Sequence, residues 1–228
     1  MTVGGEASAV PIFSAQGLGT CICMAAEEAA DGGQDKNILT IDSGEFSSEI
    51  GDTIEMHGGT MNIKSGSFTK NAAAEDNTKT AIIHMTDGKL IADGSVDGSG
   101  KKSIQMMCGG ENVSLKNVFG VYSEGGTVSL QDVQIVVNGT YSAGVLAITG
   151  EQAASEKAYA VTVADSVIDV KFREDKLSSS GISTEGGNIQ LKGSVLVTSQ
   201  GLGITARMGS IDIAAGGESE VYTPRGTG

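Results

Sequence analysis

The side chains able to do chemistry here are two histidines, three cysteines and a scatter of carboxylates, and their spacing limits what they could do. Zinc sites draw on imidazole, thiolate and carboxylate donors at short fixed spacings. His57 and His84 are the only histidines, and they fall at different positions of the repeat set out below, so they are not expected to share a metal. Cys21, Cys23 and Cys108 make an odd count with one C-x-C spacing, which fits neither a disulfide framework nor a zinc pattern. Buried free thiols are expected instead. Glycoside cleavage needs two carboxylates facing each other across a cleft. The nearest candidates, Glu124 and Glu185, are expected two coils apart on a convex strand face, as solvated residues. Phosphate cradles follow their glycines with a lysine and a Ser/Thr, which GGTMNI and GGNIQL lack. Neither the tandem G-G-x-G-x-D of calcium-binding rolls nor a regular Thr-x-Thr array occurs. The expectation is therefore no catalytic residue, no metal ligand set and no cofactor, with calcium alone left open through the acidic loops.

These residues must be positioned by a repeat. Gly181 to Val197, GISTEGGNIQLKGSVLV, is followed by LGITARMGSIDI, which repeats its apolar pattern 22 residues on: Ile182, Ile189 and Leu191 recur as Ile204, Ile211 and Ile213. Short segments of two-residue alternation at such a period, with glycines between them, mark a solenoid of stacked β-strands. Each coil reads as a first strand, a glycine corner, a second strand and usually a third. The corners are His57-Gly58-Gly59, Thr86-Asp87-Gly88, Cys108-Gly109-Gly110, Glu124-Gly125-Gly126, Glu185-Gly186-Gly187 and Arg207-Met208-Gly209. Ahead of them runs the ladder Ile54/Met56, Ile83/Met85, Ile104/Met106, Val121/Ser123, Ile182/Thr184 and Ile204/Ala206. The second strand repeats as Leu39/Ile41, Met61/Ile63, Leu90/Ala92, Val113/Leu115, Val128/Leu130, Val161/Val163, Ile189/Leu191 and Ile211/Ile213. A third is read at Phe46, Phe68, Ile135/Val137, Ile168/Val170, Leu196 and Val221. The fold class expected is all-β: a parallel β-helix of about eight coils, three strands per coil, right-handed because parallel crossovers almost always are. At ~4.8 Å per coil the stack is about 40 Å long. The short interval from Leu115 to Leu130 fits this scheme poorly.

Insertions fall at corners. Ala25 to Asn37 and Thr149 to Ala158 precede a second strand, the first with a composition suited to a turn or two of helix. Thr69 to Thr80 and Arg173 to Ser180 follow a third strand.

The chain of 228 residues reads as one solenoid domain, since each coil packs only on its neighbours. Its 34 glycines, 2 prolines and 39% hydrophobic residues exclude collagen and a disordered tail. No apolar run approaches the ~20 residues of a membrane span. A formal net charge of −13 repels phosphate backbones, so nucleic acid is not an expected partner. No signal peptide is read at the start. VGGEASAV near the start matches AGGESEV near the end, which suggests a segment of a longer protein cut at one point of a coil.

Between the paired apolar residues of the second strand, the outward positions read Thr40, Asn62, Ile91, Ser114, Ser129, Thr162, Gln190 and Asp212. Asn62, Ser114, Ser129, Thr162, Gln190 and Asp212 are the candidate glycan-contact strip, since small hydroxyls and amides in line can hydrogen-bond sugar hydroxyls. The outward positions of the first strand read Glu55, His84, Met107, Tyr122, Ser183 and Thr205, and Glu185 and Arg207 are expected to pair across neighbouring coils.

GGTMNIKSGSF, GGTVSLQDVQI and GGNIQLKGSVLV resemble the right-handed β-helix repeats of the pectate-lyase-like superfamily, closest to its adhesin-like and carbohydrate-binding bacterial surface proteins. The resemblance implies an extracellular or cell-surface setting, with polysaccharide or a host or cell-surface protein as partner. The enzymes of that superfamily show Asn-Thr-Asp, Asp-Asp, Gly-His-Gly and Arg-Ile-Lys segments or a basic groove residue. None of the four segments occurs here, and Arg173, Arg207 and Arg225 stand outside any such motif. A non-enzymatic scaffold or adhesion module is expected first, a polysaccharide-binding module second, and a polysaccharide lyase or glycoside hydrolase third.

Overall fold

A computed structural model describes residues 2–3, 10–25, 37–74, 78–110, 115–149, 159–171, 179–214 and 219–223. Its strands form three parallel sheets, of eight, nine and seven strands, and the chain visits them in rotation. This is a right-handed parallel β-helix with three strands per coil. No helix of the described residues is long and apolar enough to cross a membrane.

The repeat fixes the register. Ile182 pairs with Ile204, Ile189 with Ile211 and Leu191 with Ile213, as the 22-residue displacement requires. The first-strand sheet runs Ile22, Ile54, Ile83, Val121, Val145, Ile182, Ile204 along one inward column. Stacking like on like keeps each aliphatic side chain against its counterparts in the coils above and below. From the second coil to the last but one, these inward residues are fully buried in a single core cluster.

Three strand assignments change. Ile104–Cys108 is a strand of the third-strand sheet, paired with Gly66–Lys70 and Val133–Thr140, so Ile104, Met106 and Met107 leave the first-strand columns. Leu115–Lys116 pairs with Gly139 and Thr140 at the far end of Val133–Thr140, and is no second strand. This accounts for the short Leu115 to Leu130 interval. Lastly, the core residue of the seventh coil's third strand is Val197, paired with Ile168 and Val221, while Leu196 is 37% exposed. The Ala25 to Asn37 and Thr149 to Ala158 insertions, with the helix expected in the first, lie mainly outside the described residues.

Phe13, Phe46 and Phe68 occupy one column of the third-strand sheet. Their rings stack in parallel at 5.0 Å centroid spacing, inclined by 1° and 6°. Met106, Ile135, Ile168, Val197 and Val221 continue the column.

Lys70 belongs to this sheet, not to an insertion. It lies inward between Ser48 and Cys108, fully buried, and its ammonium donates to the carbonyls of Ile50 and Gly51. Burial pushes its pKa down to about 8, against the opposing pull of Cys108 and Asp52. Burial also pushes the Cys108 thiol up to about 12. The folded Lys70 value lies below that of a free lysine, ~10.4. Between about pH 8 and about pH 10.4 the unfolded chain therefore holds more protons, and this group's contribution to stability rises with pH. Urea melts at about pH 7.5 and about pH 10 should show wild type gaining ~2–3 kcal/mol relative to Lys70→Met. An unchanged gap between the two proteins would contradict a buried ammonium.

Candidate functional site

Two outer faces hold the side chains that could recognise something. On the second-strand sheet, Thr40, Asn62, Ile91, Ser129, Thr162, Gln190 and Asp212 stand in one unbroken register, one per coil. Ser114 lies outside the described residues, and the column has no place for it, since Ile91 pairs directly with Ser129. Five of the six predicted strip residues are thus brought together, interrupted by Ile91. Near the strip's far end the Tyr159 hydroxyl donates to Asp212 Oδ2 at 2.6 Å, which raises the tyrosine's pKa. A phenol ring therefore extends along the strip.

The first-strand face is more densely titratable. Its outward column reads Cys23, Glu55, His84, Tyr122, Leu146, Ser183 and Thr205. Asp52, ahead of the strand Ile54–Met56, reaches into the next coil. Its Oδ1 accepts the Ala81 N–H at 2.5 Å, and its Oδ2 lies 2.9 Å from His84 Nδ1. The Asp52 hydrogen bond raises the His84 pKa above its ordinary value. Burial opposes that shift, while the Asp52, Glu124 and Glu55 charges reinforce it. The His84 ring stacks on Tyr122 at 4.9 Å. Tyr122 donates to Glu124 Oε1 at 2.6 Å, and burial followed by this carboxylate pushes its hydroxyl pKa up. Lys79 Nζ stands 5.0 Å over the same ring.

Asp52, His84, Tyr122 and Glu124 thus form a connected chain that can hold protons and orient a hydrogen-bonding ligand. Among the described residues His84 Nε2 is buried without a hydrogen-bond partner, 3.9 Å from Glu124 Oε2. A nucleophilic triad would place a hydroxyl or thiol at this nitrogen.

One coil back, Cys23, Glu55 and His57 converge. Their donor atoms all lie within 4.8 Å of one another. Thr20 donates to Glu55 Oε1 at 2.9 Å, and His57 Nδ1 lies 3.3 Å from Thr86 Oγ1. The Cys23 thiol is exposed and Cys21 half-buried, so only Cys108 meets the expectation of a buried thiol. Burial, then the Glu55 charge, raises the Cys23 pKa. His57 and His84 do stand at different positions of the repeat.

Glu124 and Glu185 lie two coils apart with the strand Ala143–Ile148 between them, and Arg207 bonds Glu185 at 3.2 Å. On another edge, an open groove of about 380 Å³ is lined by Ser43, Ser65, Ser67, Ser95, Lys101 and Ser103 among others. Sequence reasoning missed Asp52, whose contact with His84 spans 32 residues. An acidic residue just ahead of a first strand was the one available signal.

No family model, curated protein or solved structure shows significant similarity to this chain.

Proposed function

We propose that the chain is a non-enzymatic β-helix module of a bacterial cell-surface protein, adhesin-like in character, which serves as a scaffold and adhesion surface. The observation that carries this reading is the unbroken outward column from Thr40 to Asp212. A rigid stack repeats an outward side chain, polar at every coil but that of Ile91, at a regular interval of ~4.8 Å and offers it to a partner without rearrangement. Among the described residues, the surface carboxylates Glu124 and Glu185 share one open face and do not oppose each other across a cleft. The likeness of the repeats to the pectate-lyase-like superfamily supports the same setting.

Polysaccharide binding is the second reading, and Tyr159 favours it. An aromatic ring beside a line of amides and hydroxyls is a surface on which a sugar can stack and hydrogen-bond at once. Native electrophoresis through gels holding plant and mucosal polysaccharides, with calcium and with chelator, tests both readings. The polysaccharide reading expects retardation by one polymer, relieved by Tyr159→Ala and by Gln190→Ala, whereas no retardation by any of them would leave the scaffold reading in front. Retardation that neither variant changes would remove the strip from the proposal. Release of new reducing ends or unsaturated products from any polymer would overturn the non-enzymatic reading.

A further inference from the structure

We propose that Cys23, Glu55 and His57 form a binding site for a zinc-class divalent transition-metal ion, with a fourth coordination position left open. Cys23 and Glu55 are register partners in neighbouring coils and face the same way. The corner after Met56 brings His57 alongside, held by its backbone N–H on the Met24 carbonyl at 2.8 Å. A thiol, an imidazole and a carboxylate are thereby gathered within 4.8 Å. Donors around a tetrahedral zinc ion, at ~2.0–2.3 Å from the metal, stand about 3.3–3.8 Å apart. Glu55 Oε2 and His57 Nε2 are already 3.8 Å apart, and side-chain rotation alone can close the rest.

The surrounding hydrogen bonds orient these donors. Thr20 occupies Glu55 Oε1, leaving Oε2 toward His57. Thr86 Oγ1 lies 3.3 Å from His57 Nδ1 and can accept a hydrogen bond from its N–H, an arrangement that leaves the Nε2 lone pair free for a metal on the side of Glu55. Outer-shell partners of this kind orient metal ligands and strengthen binding. The donor set selects the ion. Sulfur and nitrogen favour zinc and its neighbours over calcium or magnesium, which prefer oxygen alone. One thiolate and one carboxylate balance a divalent charge. Three protein ligands leave the fourth position of a tetrahedral ion to water or to a donor brought by a partner. His84 takes no part, since it is not among the three residues whose donor atoms converge within 4.8 Å and its Nε2 lies beside Glu124.

Cobalt is the probe, because its thiolate complexes absorb in the near ultraviolet and its tetrahedral complexes absorb strongly in the visible. Titrating the full chain with cobalt under reducing conditions should give both features, saturating at one ion per chain and displaced by zinc. Cys23→Ser should abolish the thiolate band and Cys21→Ser should leave it. His57→Ala and Glu55→Gln should each weaken zinc binding by at least ~10-fold, and Thr20→Val by about 10-fold. Cys23 and His57 are exposed, so thermal melts of Cys23→Ser and His57→Ala should match wild type. Absence of a thiolate band, its survival in Cys23→Ser, or unchanged affinity in His57→Ala would each overturn the proposal.

Discussion

Replacing Leu191 with aspartate is expected to cost about 4 kcal/mol or more, while Gln190→Ala, one residue away, should cost less than ~0.5 kcal/mol. Leu191 is fully buried between Val163 and Ile213 in the neighbouring coils. An aspartate there finds no water and no cation, and the loss of aliphatic packing adds to the desolvation of its charge. Gln190 faces outward between Thr162 and Asp212. Urea melts of the two variants measure the contrast. Equal destabilisation would mean that the inward and outward positions of this strand have been exchanged.

The second large effect is expected at a corner. Gly126 has φ of +77°, and a Cβ there would fall on the carbonyl oxygen of Gly88 in the coil below, with Gly88 N only 2.7 Å away. Gly100 has a comparable φ of +85° but nothing within 4 Å of a built Cβ. Both Gly→Ala variants carry the penalty of a left-handed backbone, about 1 kcal/mol. Only Gly126→Ala also forces two coils apart, for a total of about 3 kcal/mol or more. The difference between the two melts isolates the close approach of stacked corners. Similar losses at both positions would show that backbone conformation alone explains the glycines.

The architecture was legible because alternation writes a parallel β-helix into every strand: an inward residue such as Ile189 must match Val161 and Ile211, its partners in the flanking coils. What alternation does not distinguish is which sheet a strand joins. Ile104-x-Met106 followed by Cys108-Gly109-Gly110 looks like a first strand before its corner, yet it pairs with Phe68 and Ile135. The loop from Gly94 to Lys102, closed by the Val96 and Lys102 bridge, lies between it and the preceding second strand, and its length carried no sign of this. The polar strip was legible for the same reason as the core, being the complementary half of the alternation. The clusters around His84 and Cys23 were not. They join residues on different coils and at different phases of the repeat, so that Asp52, in the bend ahead of a strand, meets His84 within the next strand of that sheet. Such meetings depend on where a corner aims a side chain, which periodicity does not record.

The phenylalanine stack has a consequence for how the coils find their order. Any solenoid risks assembling with one coil skipped, because the backbone hydrogen bonds of every coil are interchangeable. Skipping any one of the first three coils would leave one ring stack at 5.0 Å where the full order has two, and skipping the coil of Phe68 would set Phe46 directly on Met106. Without the coil of Phe46, Lys70 would lose the two carbonyls that hold its ammonium. Each of the early coils thus carries an address in its side chains that its backbone lacks. The β-branched residues at the other end, Ile168, Val197 and Val221, carry a weaker one. Assembly errors should therefore concentrate toward the C-terminal coils.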